Sequence, residues 1–232
     1  MLSSYSKPIK VIALAQQIGR GERAALFEAA AAVCEAHFGN AAEAKRHAAA
    51  ALDLARGRDV EYSAAFALAL SGDSSESPRL AKDLETRFPD DTAVRSSYLP
   101  ALRALLALNR GEPIRAIELL QVAAPYELGS TGGFPVLYLA LYPVYVRGEA
   151  YLLLHQGSQA VAEFQKILDH RGIVWNEPIG ALAHLQLGRA YILAGDKEKA
   201  RIAYQDFLTL WKDADPDIPI LKQAQAEYAK LQ

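Results

Sequence analysis

The chain has 232 residues, a formal net charge of −2, 51% apolar residues and 22% charged residues. This near-neutral balance argues against nucleic acid as a partner, since no basic stripe is available to displace counterions from phosphates. No apolar run approaches the ~18 residues that span a bilayer, the first ten residues lack the apolar stretch of a signal peptide, and the lone Cys34 excludes an internal disulfide framework.

Forty-three alanines stand against one methionine and two tryptophans, a bias that favours many closely stacked helices. Apolar residues recur at three- and four-residue spacing, and no stretch alternates as a strand does. Residues 1–21 read as a leading helix or partial repeat. After them, breakers cut the chain into helix-length segments: Gly39-Asn40, Gly57, Gly72-Asp73, Pro89-Asp90, Gly111, the stretch 125–135, Gly172 and Gly195-Asp196. Several of these breaks are only two or three residues wide, which suits helical hairpins.

The segments repeat. His184-x2-Leu187-Gly188-x2-Tyr191 is followed by Gly195-Asp196 and Ala200-x3-Tyr204. The unit before it reads Gly148-x2-Tyr151 and then Ala160-x3-Phe164. Earlier units are plainer: Ala104-x2-Ala107 with Gly111, Ala116 and Leu120; Ala65-x2-Leu68 with Gly72, Ser77 and Ala81; Ala32-x2-Glu35 with Gly39, Ala44 and Ala48. Positions 44, 77, 116, 160 and 200 are equivalent and lie 33 to 44 residues apart. Small residues belong where two helices cross, and aromatics fill the space beside them. After Asp215-Pro216, the residues Ile218, Leu221, Ala224, Tyr228 and Leu231 form one apolar face, with Lys222, Gln223, Glu227 and Lys230 elsewhere on the helix. A closing helix over residues 217–232 would cover the end of an array occupying 22–216.

The repeat resembles the tetratricopeptide (TPR) signature, W-x2-L-G-x2-Y followed by A-x3-F, with only the leading aromatic replaced in the clearest unit. Three stretches also resemble the C-terminal TPR region of bacterial eukaryotic-like serine/threonine kinases and related multidomain regulators. They are Tyr142-Pro-Val-Tyr-Val-Arg-Gly148, Phe164-Gln-Lys-Ile-Leu-Asp-His-Arg-Gly-Ile-Val174 and Ala203-Tyr-Gln-Asp-Phe-Leu onward. The likeness implies an all-α, right-handed superhelical solenoid of about five hairpins with a C-terminal capping helix. It further implies a non-catalytic protein- or peptide-binding scaffold serving a bacterial signalling or regulatory protein. The alternative is a small-molecule-sensing module of a kinase or transcriptional regulator. The expected location is cytoplasmic, or outside the inner membrane if the native protein carries an upstream transmembrane segment.

Enzyme chemistry finds little support. Of five histidines, at 37, 47, 155, 170 and 184, none stands three or four residues from another, so no metal site and no cofactor are expected. His37 and His155 sit near the ends of first helices, where an imidazole can meet unpaired carbonyls. Gly129-Ser-Thr-Gly-Gly133 lacks the Lys-Ser/Thr of a phosphate-binding loop and reads as a connection. No kinase signature is present. In TPR arrays the first helix of each hairpin lines an inner groove. In this register the groove-facing residues are Tyr62, Phe66, Tyr98, Leu105, Tyr142, Tyr145, Glu149, Leu185 and Arg189. A tyrosine-rich surface of this kind suits a protein or peptide partner, and Glu149 and Arg189 hold equivalent places from which they could face each other. The alternative is that several of these residues are buried between hairpins.

Overall fold

The computed structural model describes residues 21–129 and 140–232. The leading segment up to residue 20 and nearly all of the loop at 129–133 lie outside the described residues. Those described form an all-helical protein with no strand among them. The α-helices are α1 (Gly21–Phe38), α2 (Ala41–Leu54), α3 (Arg58–Leu70), α4 (Glu76–Arg87), α5 (Leu99–Asn109) and α6 (Pro113–Leu120). They continue as α7 (Tyr142–Leu153), α8 (Gly157–Asp169), the single turn α9 (Arg171–Val174), α10 (Pro178–Leu193), α11 (Lys197–Leu210) and α12 (Pro219–Ala229). A π-helical turn, Val94–Tyr98, leads into α5, and a 3₁₀ segment, Gln121–Tyr126, follows α6. No helix among the described residues is long and apolar enough to cross a membrane.

One turn recurs five times. Helices α1, α3, α5, α7 and α10 each end on a residue in left-handed conformation: Gly39, Gly72, Gly111, His155 and Gly195. In each case the next residue's N–H reaches back to the carbonyl five positions earlier, at 2.9–3.0 Å: Asn40 to Glu35, Asp73 to Leu68, Glu112 to Ala107, Gln156 to Tyr151 and Asp196 to Tyr191. This bond satisfies one of the carbonyls a helix end leaves unpaired and turns the chain into the next helix within two or three residues. Glycine carries the positive φ without steric cost. At the fourth turn exposed His155 does so instead, at φ 55°, so the backbone conformation of this residue, rather than its imidazole, serves the helix end.

Measured from the small residue at each helix crossing (Ala32, Ala65, Ala104, Gly148, Gly188), the left-handed residue comes seven positions later. Twelve positions on stands another small residue, Ala44, Ser77, Ala116, Ala160 or Ala200, and all five are fully buried. Sixteen positions on, the space beside the crossing is filled by Ala48, Ala81, Leu120, Phe164 or Tyr204. In the fourth and fifth hairpins the packing is ring on glycine. A Cβ at Gly148 would lie 2.6 Å from Phe164 Cζ, and one at Gly188 would lie 2.7 Å from Tyr204 Cδ2. Ser77 is accommodated in its apolar position because its hydroxyl donates to Ala65 O at 2.8 Å.

The five first helices pack in series, α1 on α3, α3 on α5, α5 on α7 and α7 on α10, while α2, α4, α6, α8 and α11 each pack beside their own partner. The series bends back on itself. Helix α12 packs against α11 and also against α1, and Trp211 at the end of α11 meets Phe38 edge-on at 5.0 Å. Pro219, which opens α12, sits against Gly39 at the end of α1. Leu221 and Ala224 are buried in this junction, so the closing helix joins both ends of the array.

Two substitutions should move stability in opposite directions. Gly148→Ala forces the Phe164 ring from its place and should cost about 1–3 kcal/mol in urea unfolding. His155→Gly relieves the left-handed backbone and loses no side-chain bond, so it should add about 0.5–1 kcal/mol.

Candidate functional site

The inner face of the first helices divides into a closed half and an open half. The closed half holds Tyr62 and Phe66 on α3, Tyr98 at the entry to α5, Tyr142 and Tyr145 on α7, and Leu185 on α10. All six are at most 2% exposed. The sequence reading placed them on an open groove. Here they are the aromatic centre of the protein, because the array curls until the end of α1 covers them. His37 of α1 stands among them, edge-on to Tyr145 at 5.5 Å and tilted against Tyr142 and Phe66 at 5.8 and 6.5 Å. Burial depresses the His37 pKa to about 3, so the ring is neutral, and its Nε2 has no hydrogen-bond partner. His37 is therefore a core residue in an aromatic cage and not a cap for helix-end carbonyls.

The rest of this cluster is bonded as a core is. Tyr62 and Tyr98 stack with rings 4.0 Å apart, and Tyr98 donates to Asp59 Oδ1 at 2.9 Å. Tyr142 meets Phe66 edge-on and donates to Glu177 Oε2 at 2.9 Å. Burial pushes the Tyr62 and Tyr142 hydroxyls well above their usual range, which holds both neutral. Each aromatic ring removed from water contributes roughly 1.5–3 kcal/mol. An open groove would forgo most of that.

The open half lies nearer the C-terminal ends of the same helices. It is a cavity of about 350 Å³ lined by Leu70 of α3, Leu105, Leu108 and Asn109 of α5, Glu149, Leu152 and Leu153 of α7, and Gln186 and Arg189 of α10. Four successive first helices thus form one trough with a leucine floor. Of the nine residues assigned to the groove from sequence, Leu105, Glu149 and Arg189 are brought together here.

The polar wall is a relay. Arg189 does not face Glu149. Its Nε and Nη2 fork onto Glu227 of α12 at 2.9 and 2.8 Å, and its Nη1 donates to Gln186 Oε1 at 3.1 Å. Tyr204 of α11 also donates to Glu227, at 2.7 Å. Although desolvation opposes it, the bonds from Arg189 and Tyr204 hold the Glu227 carboxyl below its ordinary range. Glu227, which the apolar pattern set apart from the buried face of the closing helix, therefore latches that helix to α10 and α11. Gln186 then donates to Tyr145 Oη at 3.1 Å and, more weakly, to Glu149 Oε1 at 3.3 Å. Glu149 receives nothing better from the described residues. Desolvation against the leucines pushes its pKa up to about 7, with Arg189 acting in the opposite sense.

Sequence reasoning missed Gln186, Glu227 and, apart from Leu105, the leucines of the trough. Arg189 carried the signal for Glu227, being the only lysine, arginine, aspartate or glutamate in α10. Such a residue on a largely buried helix needs an acid from elsewhere. Among the described residues no group of three His, Cys, Asp or Glu is placed to hold a metal ion. No protein-family model matches this sequence, and comparison with curated proteins returns no significant match.

The division of the inner face is directly measurable. Tyr145→Ala should cost about 3–5 kcal/mol in equilibrium unfolding, as a core aromatic does. An unchanged midpoint would return Tyr145 to the surface.

Proposed function

We propose that this chain is a TPR-like superhelical array of five helical hairpins with a capping helix, and that it binds a segment of a partner protein in the leucine trough. The array reading is supported by the recurring interval of seven, twelve and sixteen residues from each helix crossing, which accompanies the same turn in all five hairpins. The binding reading is carried by one observation: among the described residues an apolar trough built from four successive first helices is open, with Leu153 at its edge 55% exposed. An apolar concavity with a few polar groups at one wall favours recognition. Among the described residues its lining holds no hydroxyl, thiol or imidazole, and the hydroxyl nearest Glu149, that of Tyr145, is buried and held neutral. These features favour a binding module over an enzyme. The small-molecule alternative was centred on Tyr142 and Arg189. It loses support because Tyr142 is fully buried and takes no part in lining the trough. The likeness of residues 110–232 to regulatory regions of bacterial kinases favours a role in signalling, in the cytoplasm, with no cofactor.

Selection of a displayed random peptide library against the purified chain tests this reading. The wild-type protein should enrich a family of related sequences. Leu153→Asp should abolish the enrichment while leaving the melting temperature unchanged, because the side chain is exposed. Equal enrichment by the variant, or none by the wild type, would overturn the proposal.

A further inference from the structure

We infer that the trough's occupant is a partner segment presenting one lysine or arginine among apolar side chains, with that cation seated on Glu149. The inference rests on the peptide-binding reading above and names the chemistry of its partner. The trough offers five leucines and Asn109, and the Asn109 amide is already engaged, donating to Ala69 O at 2.7 Å. Of its two charged residues, Arg189 commits the Nε–Nη2 edge of its guanidinium to Glu227 and its remaining nitrogen, Nη1, to Gln186. Among the described residues Glu149 has only the 3.3 Å contact from Gln186. When Glu149 is ionised, Glu149, Arg189 and Glu227 together therefore carry one negative charge without a counter-charge, and it lies on the trough side of the network.

A ligand covering this trough strips water from the Glu149 carboxylate. A neutral segment would leave that charge buried and unpaired, and an acidic one would add repulsion. A cation is the occupant that replaces the lost hydration. The leucines on α3, α5 and α7 ask for apolar residues on either side of it, and this favours a peptide over a small amine. The groups facing Glu149 are few. Helix α3 presents Leu70, α5 presents Leu105, Leu108 and Asn109, α10 presents Gln186 and Arg189, and its own helix adds Tyr145, whose hydroxyl burial holds neutral.

Binding should in consequence depend on pH. The empty site holds Glu149 half-protonated near neutrality, and the cation selects the ionised form, so binding expels a proton. Affinity should rise roughly tenfold from about pH 6 to about pH 8, following the ionised fraction of a group titrating near 7.

The experiment takes the strongest peptide from the selection, synthesised with its basic residue and again with norleucine in that place. Both are titrated by fluorescence anisotropy against wild-type protein and Glu149→Gln. Expected are enriched sequences with a basic residue in an apolar frame, a loss of roughly tenfold or more for the norleucine peptide, and the pH slope described above. Glu149→Gln, isosteric and correctly folded by circular dichroism and melting temperature, should bind both peptides alike with no pH slope. Enriched peptides lacking a basic residue, or undiminished preference for the cationic peptide by Glu149→Gln, would overturn the cation assignment and leave the binding trough standing. Absence of any enrichment, or enrichment indifferent to Leu153→Asp, would remove the trough reading itself and this inference with it.

Discussion

The approach of each first helix to the second helix of its own hairpin is set by residues without bulk. Where Ala32, Ala65, Ala104, Gly148 and Gly188 stand, backbones come close enough for a facing side chain to seal the crossing, most tightly where Phe164 and Tyr204 lie on glycine. A methyl group added at either glycine would fall well inside contact distance. The hairpins so formed follow one another in a series that bends far enough for the last helix to reach the first. The buried aromatic centre, the neutral His37 and the latch at Glu227 all follow from that meeting of the ends.

Closure turns a continuous inner face into two environments. Near the starts of the first helices, the end of α1 fills the concavity and the tyrosines become core, bonded through their hydroxyls to Asp59 and Glu177 where a partner exists. Nearer the ends of the same helices no element among the described residues covers the leucines of α3, α5 and α7. The two halves also differ in their polar chemistry. The buried half keeps His37, Tyr62 and Tyr142 neutral, as desolvation requires, while the open half keeps an ion pair and one carboxyl whose pKa is pushed up to about 7.

The polar groups of the open half form one chain running Tyr204, Glu227, Arg189, Gln186, and from there to Tyr145 and Glu149. Its members come from α7, α10, α11 and α12, so the closing helix and the trough wall share one network. The Arg189–Glu227 pair is only about a quarter exposed, and its forked geometry makes it stronger than an ordinary surface ion pair. By engaging Arg189, Glu227 decides which charge the trough presents.

Much of this architecture was legible in the order of residues alone. Glycines 39, 72, 111 and 195 mark four of the five turns because only a residue without a side chain adopts that backbone at no cost. The small residues at 44, 77, 116, 160 and 200 mark the crossings because volume is a local property. The helical class and the apolar face of α12 were equally local. His155 escaped notice as a turn residue because its tolerance of positive φ is not written in its identity. The fate of Tyr62, Tyr98, Tyr142 and Tyr145 was not legible. A tyrosine facing inward has the same spacing whether the concavity is open or filled, and only the summed curvature of five hairpins brings His37 into it. The partner of Arg189 was hidden for the same reason, since Glu227 lies 38 residues away and meets it only when α12 folds back across the last hairpin. Local sequence determined the turns and the crossings, whereas long-range packing decided which part of the inner face stays open and which charge it carries.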